Sequence, residues 1–84
     1  MKIHWSRRAV IDREHWKEHN PKIYEKLYQL LGAIKENPYQ GLGKPEALKF
    51  DLSGYWSRRL TRQDRLVYRV TNQVIEVLSF KYHY

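Results

Sequence analysis

The chain has 84 residues, enough for a single domain spanning 1–84 that buries roughly 60% of its unfolded surface and folds alone with little margin. Sixteen lysines and arginines against nine acidic side chains give a formal net charge of +7, which favours a polyanionic partner such as nucleic acid. Cysteine is absent, which excludes a disulfide framework and a thiolate zinc site. No stretch has the length of a membrane span and the first residues lack the apolar run of a secretory signal, so a cytoplasmic protein is expected.

Ile3 and Trp5 alternate in a short strand expected over 2–5, which Ser6 closes as an N-cap. Residues 7–19 are charge-rich with Ala9, Val10, Ile11 and Trp16 interspersed, a weak helical pattern that ends at Asn20-Pro21, where Pro21 suits the first position of a second helix. In that second helix Ile23, Leu27, Leu30, Leu31 and Ile34 recur at the spacing of one buried face, and Asn37-Pro38 stops it. Residues 38–46 carry two prolines and two glycines that break both periods, so they form a loop.

Beyond the loop the period shifts towards two. Strands are expected over 48–50, 55–61, 65–71 and 74–82, with turns at Ser53-Gly54, Gln63-Asp64 and Asn72-Gln73. In the third of these strands Leu66, Tyr68 and Val70 would face the core, with Arg65, Val67 and Arg69 opposite. In the last, Leu78, Phe80 and Tyr82 would face one side and Ser79, Lys81 and His83 the other. The fold class that follows is α+β: a small antiparallel-dominated sheet in the order β-α-α-β-β-β-β, with two N-terminal helices packed on one face and a basic second face.

Three patterns bear on chemistry. His15-Trp16-Lys17-Glu18-His19 has the H-x-x-E-H order of one metallopeptidase class, yet a third ligand on a downstream helix is missing and the helix dipole accounts for two histidines near a C-terminus. Gly41-Leu42-Gly43-Lys44 lacks the glycine spacing of a phosphate-cradling loop, and Pro45 stands where a Ser or Thr is needed. Arg58, Arg59 and Arg62 are different, because their alternation with Trp56, Leu60, Tyr68 and Phe80 concentrates charge on one sheet face and reads as phosphate binding. Glu46, between Lys44 and Lys49, would stay ionised as a proton acceptor. His83 supplies an imidazole that titrates near neutrality, and arginines grip phosphate in two-pronged fashion. A carboxylate, arginines and a histidine are the parts of a metal-free ribonuclease.

Residues 37–49 (Asn-Pro-Tyr-Gln-Gly-Leu-Gly-Lys-Pro-Glu-Ala-Leu-Lys), 52–60 (Leu-Ser-Gly-Tyr-Trp-Ser-Arg-Arg-Leu), 65–68 (Arg-Leu-Val-Tyr) and the terminal Tyr82-His83-Tyr84 resemble the YoeB toxins. These belong to the RelE superfamily of bacterial toxin–antitoxin systems. The first 36 residues share the layout of that family, a strand and then two helices, more than its individual residues.

The resemblance implies a RelE-like, microbial-ribonuclease-like fold and a ribosome-dependent endoribonuclease that cuts messenger RNA in the A site without metal or cofactor. It assigns catalysis to Glu46, Arg65 and His83, and RNA or phosphate binding to Lys49, Arg59 and Tyr84. Glu46 would take a proton from a ribose 2′-hydroxyl, His83 would protonate the departing 5′-oxygen, and Arg65 would stabilise the phosphoryl charge. Tyr84 would stack on a base or orient the phosphate. The products would be a 2′,3′-cyclic phosphate and a 5′-hydroxyl. Implied partners are mRNA on the 70S ribosome, a YefM-like antitoxin with an acidic tail, a second copy of the chain, and operator DNA only through the toxin–antitoxin complex; no membrane is implied. The alternative from another class is a non-catalytic basic module that binds RNA or the ribosome, in which His83 is incidental.

Overall fold

The computed structural model of the chain describes residues 1–81. Its elements are β1 (Lys2–Trp5), α1 (Arg7–His19), α2 (Pro21–Glu36), β2 (Glu46–Ala47), a 3₁₀ turn (Phe50–Leu52), β3 (Trp56–Arg59), β4 (Arg65–Thr71) and β5 (Val74–Ser79).

Side-chain caps set both helix starts. The Ser6 hydroxyl accepts from the Ala9 amide at 3.0 Å and donates to the Leu78 carbonyl at 2.6 Å, so one residue starts α1 and ties it to β5. Asn20 ends α1 and begins α2, its side chain accepting from the Ile23 amide at 3.4 Å, with Pro21 in the first turn. The apolar stripe of α2, Leu27, Leu30, Leu31 and Ile34, packs against Leu60, Leu66, Tyr68, Ile75, Val77 and Phe80. By contrast α1 buries only Ala9 and Asp12.

Asp12 has a specific task. Its Oδ2 accepts the amides of Phe80 at 2.9 Å and Lys81 at 3.2 Å, while Oδ1 lies 3.0 Å from Arg8 Nε. Trp16 Nε1 donates to the Phe80 carbonyl at 3.2 Å, so α1 holds the segment just past β5 at three points.

The sheet is mixed, in the order β1-β5-β4-β3-β2, with β1 parallel to β5 and every other pair antiparallel. The parallel pair follows from the helices, since parallel neighbours need a long crossover between them. Both helices lie on one face. A two-residue turn at Asn72-Gln73, both at positive φ, joins β4 to β5, the geometry that matches strand twist.

Three sequence expectations shift. The strand expected over 48–50 is instead the two-residue β2 followed by the 3₁₀ turn, because Phe50 adopts φ 58°, outside extended space. The strand expected over 55–61 is shorter, since the Leu60 and Thr61 amides both turn to the Asp64 carbonyl. In β5 the pairing steps from Tyr68↔Val77 to Val67↔Ser79, which leaves Leu78 as an extra residue, a β-bulge. The bulge changes parity: Ile75, Val77 and Phe80 enter the core, and Leu78 instead lines a hollow with Tyr55 and Arg69. The expectation for Tyr82 and His83 on this strand falls outside the described residues.

Candidate active site

The approach to the site is fixed by a buried cation. Arg58 is fully buried; its Nε donates to the Tyr68 hydroxyl at 3.0 Å, Nη1 to the Leu42 carbonyl at 3.0 Å, and Nη2 to the carbonyls of Asn37 at 2.6 Å and Gln40 at 3.0 Å. Tyr68 in turn donates to the Pro38 carbonyl at 2.6 Å, and its burial raises the phenol pKa above the usual 10, against the pull of Arg58, so the hydroxyl keeps its proton. Backbone 37–42 is therefore gripped through its oxygens. Arg58 does not belong with the arginines expected to bind phosphate: it shares the inward parity of Trp56 and its donors are spent inside the protein.

Gly43 completes the approach. Its φ is 88°, its carbonyl accepts the Arg59 amide at 2.7 Å, and a Cβ there would stand 2.8 Å from Leu30 Cδ2. Only glycine fits. Three residues further on, β2 begins at Glu46, paired with Ser57 of β3.

The second sheet face then brings the candidate groups together. Glu46 and Ser57 are partners across β2 and β3, and Arg59 and Arg65 are partners across β3 and β4. Arg65 Nη1 lies 3.9 Å from Glu46 Oε2 and 3.3 Å from Ser57 Oγ. At that separation the ion pair is loose, and the Glu46 side chain remains 63% exposed, open to a third group. Like charges directly opposite on a sheet repel, so the Arg59–Arg65 pair is an arrangement an anion would relieve.

Lys49 follows β2 at the head of the 3₁₀ turn. With Glu46, Ala47, Leu48, Phe50 and Leu52 it lines a hollow of about 370 Å³ at the sheet edge. Phe50 stands at its rim, 91% exposed, and its left-handed backbone costs about 1–3 kcal/mol. Sequence reasoning missed both Phe50 and Ser57. For Ser57 the signal was present, because it alternates in step with Arg59.

The remaining basic residues sort differently. Arg69 is paired with Glu76 and lies 4.9 Å over the Tyr55 ring, so its charge is engaged on the same face but away from Glu46. Arg62 is exposed in the turn after β3. His15 and His19 stack with ring centroids 4.4 Å apart, and desolvation, then Lys81 and His19, hold the His15 pKa below 6.5. Among the described residues no group of three or more His, Cys, Asp or Glu converges to hold a metal. His83 and Tyr84 lie outside the described residues. Of the six residues singled out from sequence, Glu46, Lys49, Arg59 and Arg65 gather at one end of the sheet.

Two helices on one face of a five-stranded mixed sheet make up the architecture of the solved toxins of the YoeB kind. The model of the YoeB-like toxins of bacterial type II toxin–antitoxin systems matches residues 4–84, and the chain belongs to that family. It is 42% identical over 84 residues to toxin YoeB of Escherichia coli K12, covering 100% of both chains. The solved YoeB/ParE toxin from Agrobacterium tumefaciens superposes with a TM-score of 0.97 at 41% identity, covering 100% of both chains. The YoeB–YefM complex from Staphylococcus aureus gives 0.93 at 41% identity, and the YoeB dimer from that organism 0.94 at 40%, each covering 100% of this chain and 98% of the other. No helix among the described residues is long and apolar enough to cross a membrane.

Proposed function

We propose that this type II toxin is a ribosome-dependent, metal-independent endoribonuclease that cuts mRNA in the A site and so stops translation. The observation that carries the reading is the placement of Glu46 Oε2 3.9 Å from Arg65 Nη1, open to solvent and flanked by Arg59 and Lys49. Residues 1–84 act as one domain in the cytoplasm.

In this mechanism Glu46 accepts the proton of a ribose 2′-hydroxyl, and the oxygen attacks the adjacent phosphorus in line. The Arg65 guanidinium meets the charge that develops on the phosphoryl oxygens, with Ser57 Oγ and the Glu46 carboxylate fixing its orientation. Arg59 and Lys49 hold the backbone phosphates. His83 gives its proton to the departing 5′-oxygen as the P–O bond breaks, leaving a 2′,3′-cyclic phosphate and a 5′-hydroxyl, and Tyr84 stacks on a base or orients the phosphate. No cofactor enters.

The likeness to the S. aureus complex supports a YefM-like antitoxin as partner, and the S. aureus dimer supports a second copy of the chain. A net charge of +7 suits an acidic segment that folds on binding. Operator DNA would be met only through that complex.

Toeprinting of a defined message on 70S ribosomes, against the same message as naked RNA, tests the reading. Cutting confined to the ribosome and abolished in Glu46→Ala and His83→Gln is expected. Arg65→Ala should slow cutting about 10²–10³-fold, the usual cost of a lost donor to a developing anion. Normal cutting by His83→Gln removes His83 from the mechanism, and ribosome association without any cut leaves only the binding-module alternative.

A further inference from the structure

Among the described residues Phe50 is the most exposed large hydrophobic, at 91%, and it takes no part in the hydrophobic core. Its φ of 58° is one a bulky side chain avoids. The surrounding backbone enforces it, through the Leu52 amide on the Lys49 carbonyl at 3.2 Å, Ser53 on Phe50 at 3.0 Å and Leu48 on Tyr55 at 2.9 Å. Strain that packing does not need, in a solvent-facing aromatic at the rim of a charged site, points to function.

The ring shares the 370 Å³ hollow with Glu46 and Lys49, while Arg59 and Arg65 lie outside its lining. In the reaction proposed above, Glu46 faces the ribose whose 2′-hydroxyl attacks. The base on that same ribose is then the group nearest the hollow, and the phosphate lies towards Arg65.

We infer that Phe50 is a stacking platform for the nucleobase on the 5′ side of the scissile linkage, the base of the nucleotide that supplies the attacking hydroxyl. Aromatic faces hold unstacked RNA bases largely without sequence preference, and Lys49 beside the ring takes the backbone charge. Seating the base would hold this nucleotide at the site equally before and during the reaction. Phe50 is thus a substrate-contacting residue that the acid–base chemistry alone does not require. The inference rests on the nuclease reading, and its test separates the two.

The test uses the full chain on 70S ribosomes carrying a message with 2-aminopurine at the nucleotide 5′ of the mapped cut, its 2′-oxygen methylated so that it cannot react. Stacking quenches this base. Wild type and Phe50→Trp quench it; Phe50→Ala and Phe50→Gly do not. On the cleavable message the same two variants raise KM about tenfold with kcat nearly unchanged, the signature of lost ground-state binding. When that nucleotide is abasic, wild type and Phe50→Ala cut alike. Phe50→Gly melts no lower than wild type, because glycine relieves the positive φ, so its weaker binding is not unfolding.

Equal quenching by wild type and Phe50→Ala, or a Phe50→Ala defect that persists on abasic RNA, overturns the platform. So does a variant that handles RNA normally but loses dimer or antitoxin, which would make the ring a protein contact. Cutting of the unmethylated message with no Phe50-dependent quenching would defeat the platform and leave the nuclease reading standing, whereas no cutting by wild type would defeat the nuclease reading and the platform with it.

Discussion

Arg58 ties four separate groups of the structure together through one side chain. A guanidinium has five N–H donors and no way to lose its charge in a protein, so its burial requires acceptors on several sides, and here three carbonyls and a phenol provide them. Arg58→Ala should lower stability by about 2–4 kcal/mol in urea unfolding, because each carbonyl left dry costs about 1–3 kcal/mol less whatever water returns. Arg58→Lys should recover little, since a point charge cannot reach the same oxygens. At the surface, hydrogen bonding by Arg69 holds the Glu76 pKa below 4.5. A carboxyl depressed in the folded state stabilises above its unfolded pKa, and that contribution is lost as pH falls through the folded value. Thermal melts of Glu76→Gln should therefore show a shallower loss of Tm than wild type below pH 4.5. The sequence already held the clue to Arg58, which has the parity of Trp56 and Leu60; its charge argued for solvent, and only the carbonyls of a distant loop reverse that argument. Glu46 and Arg65 were legible because their side chains needed no unusual backbone. Phe50 was not, because nothing local announces a positive φ at a phenylalanine.

At the scale of elements, α2 and β4 match their sequence expectations closely, since a long apolar stripe and a clean alternation each specify one face. β5 departs at the bulge, where one extra residue reverses inside and outside, and alternation cannot reveal a step that depends on pairing with β4. The role of α1 was also hidden. Its weak periodicity suits a helix whose buried polar residue, Asp12, anchors the amides of Phe80 and Lys81. Asp12→Ala should cost about 1–3 kcal/mol, and the Phe80 amide should exchange with solvent faster than those in the middle of β5. Unchanged protection of Phe80 would show that the Trp16 bond alone secures this segment. Under the proposed mechanism the variant should also cut more slowly, because residues 80–81 lead directly to His83.

Taken whole, the molecule divides its labour by face: both helices cover one side of the sheet, and the charged groups proposed for catalysis collect on the other. With a net charge of +7, association with ribosomal RNA and with an acidic antitoxin segment should weaken steeply as salt is raised, while Glu46→Gln should bind as wild type does and fail to cut. Sedimentation with ribosomes at two salt concentrations measures the first, and primer extension the second. The pairing of β1 with β5 has a further consequence for biosynthesis. β1 finds its neighbour only after β5 has emerged from the exit tunnel, so the sheet cannot close while β5 is still inside the ribosome. Any activity that needs the closed sheet therefore waits until β5 has been made and released.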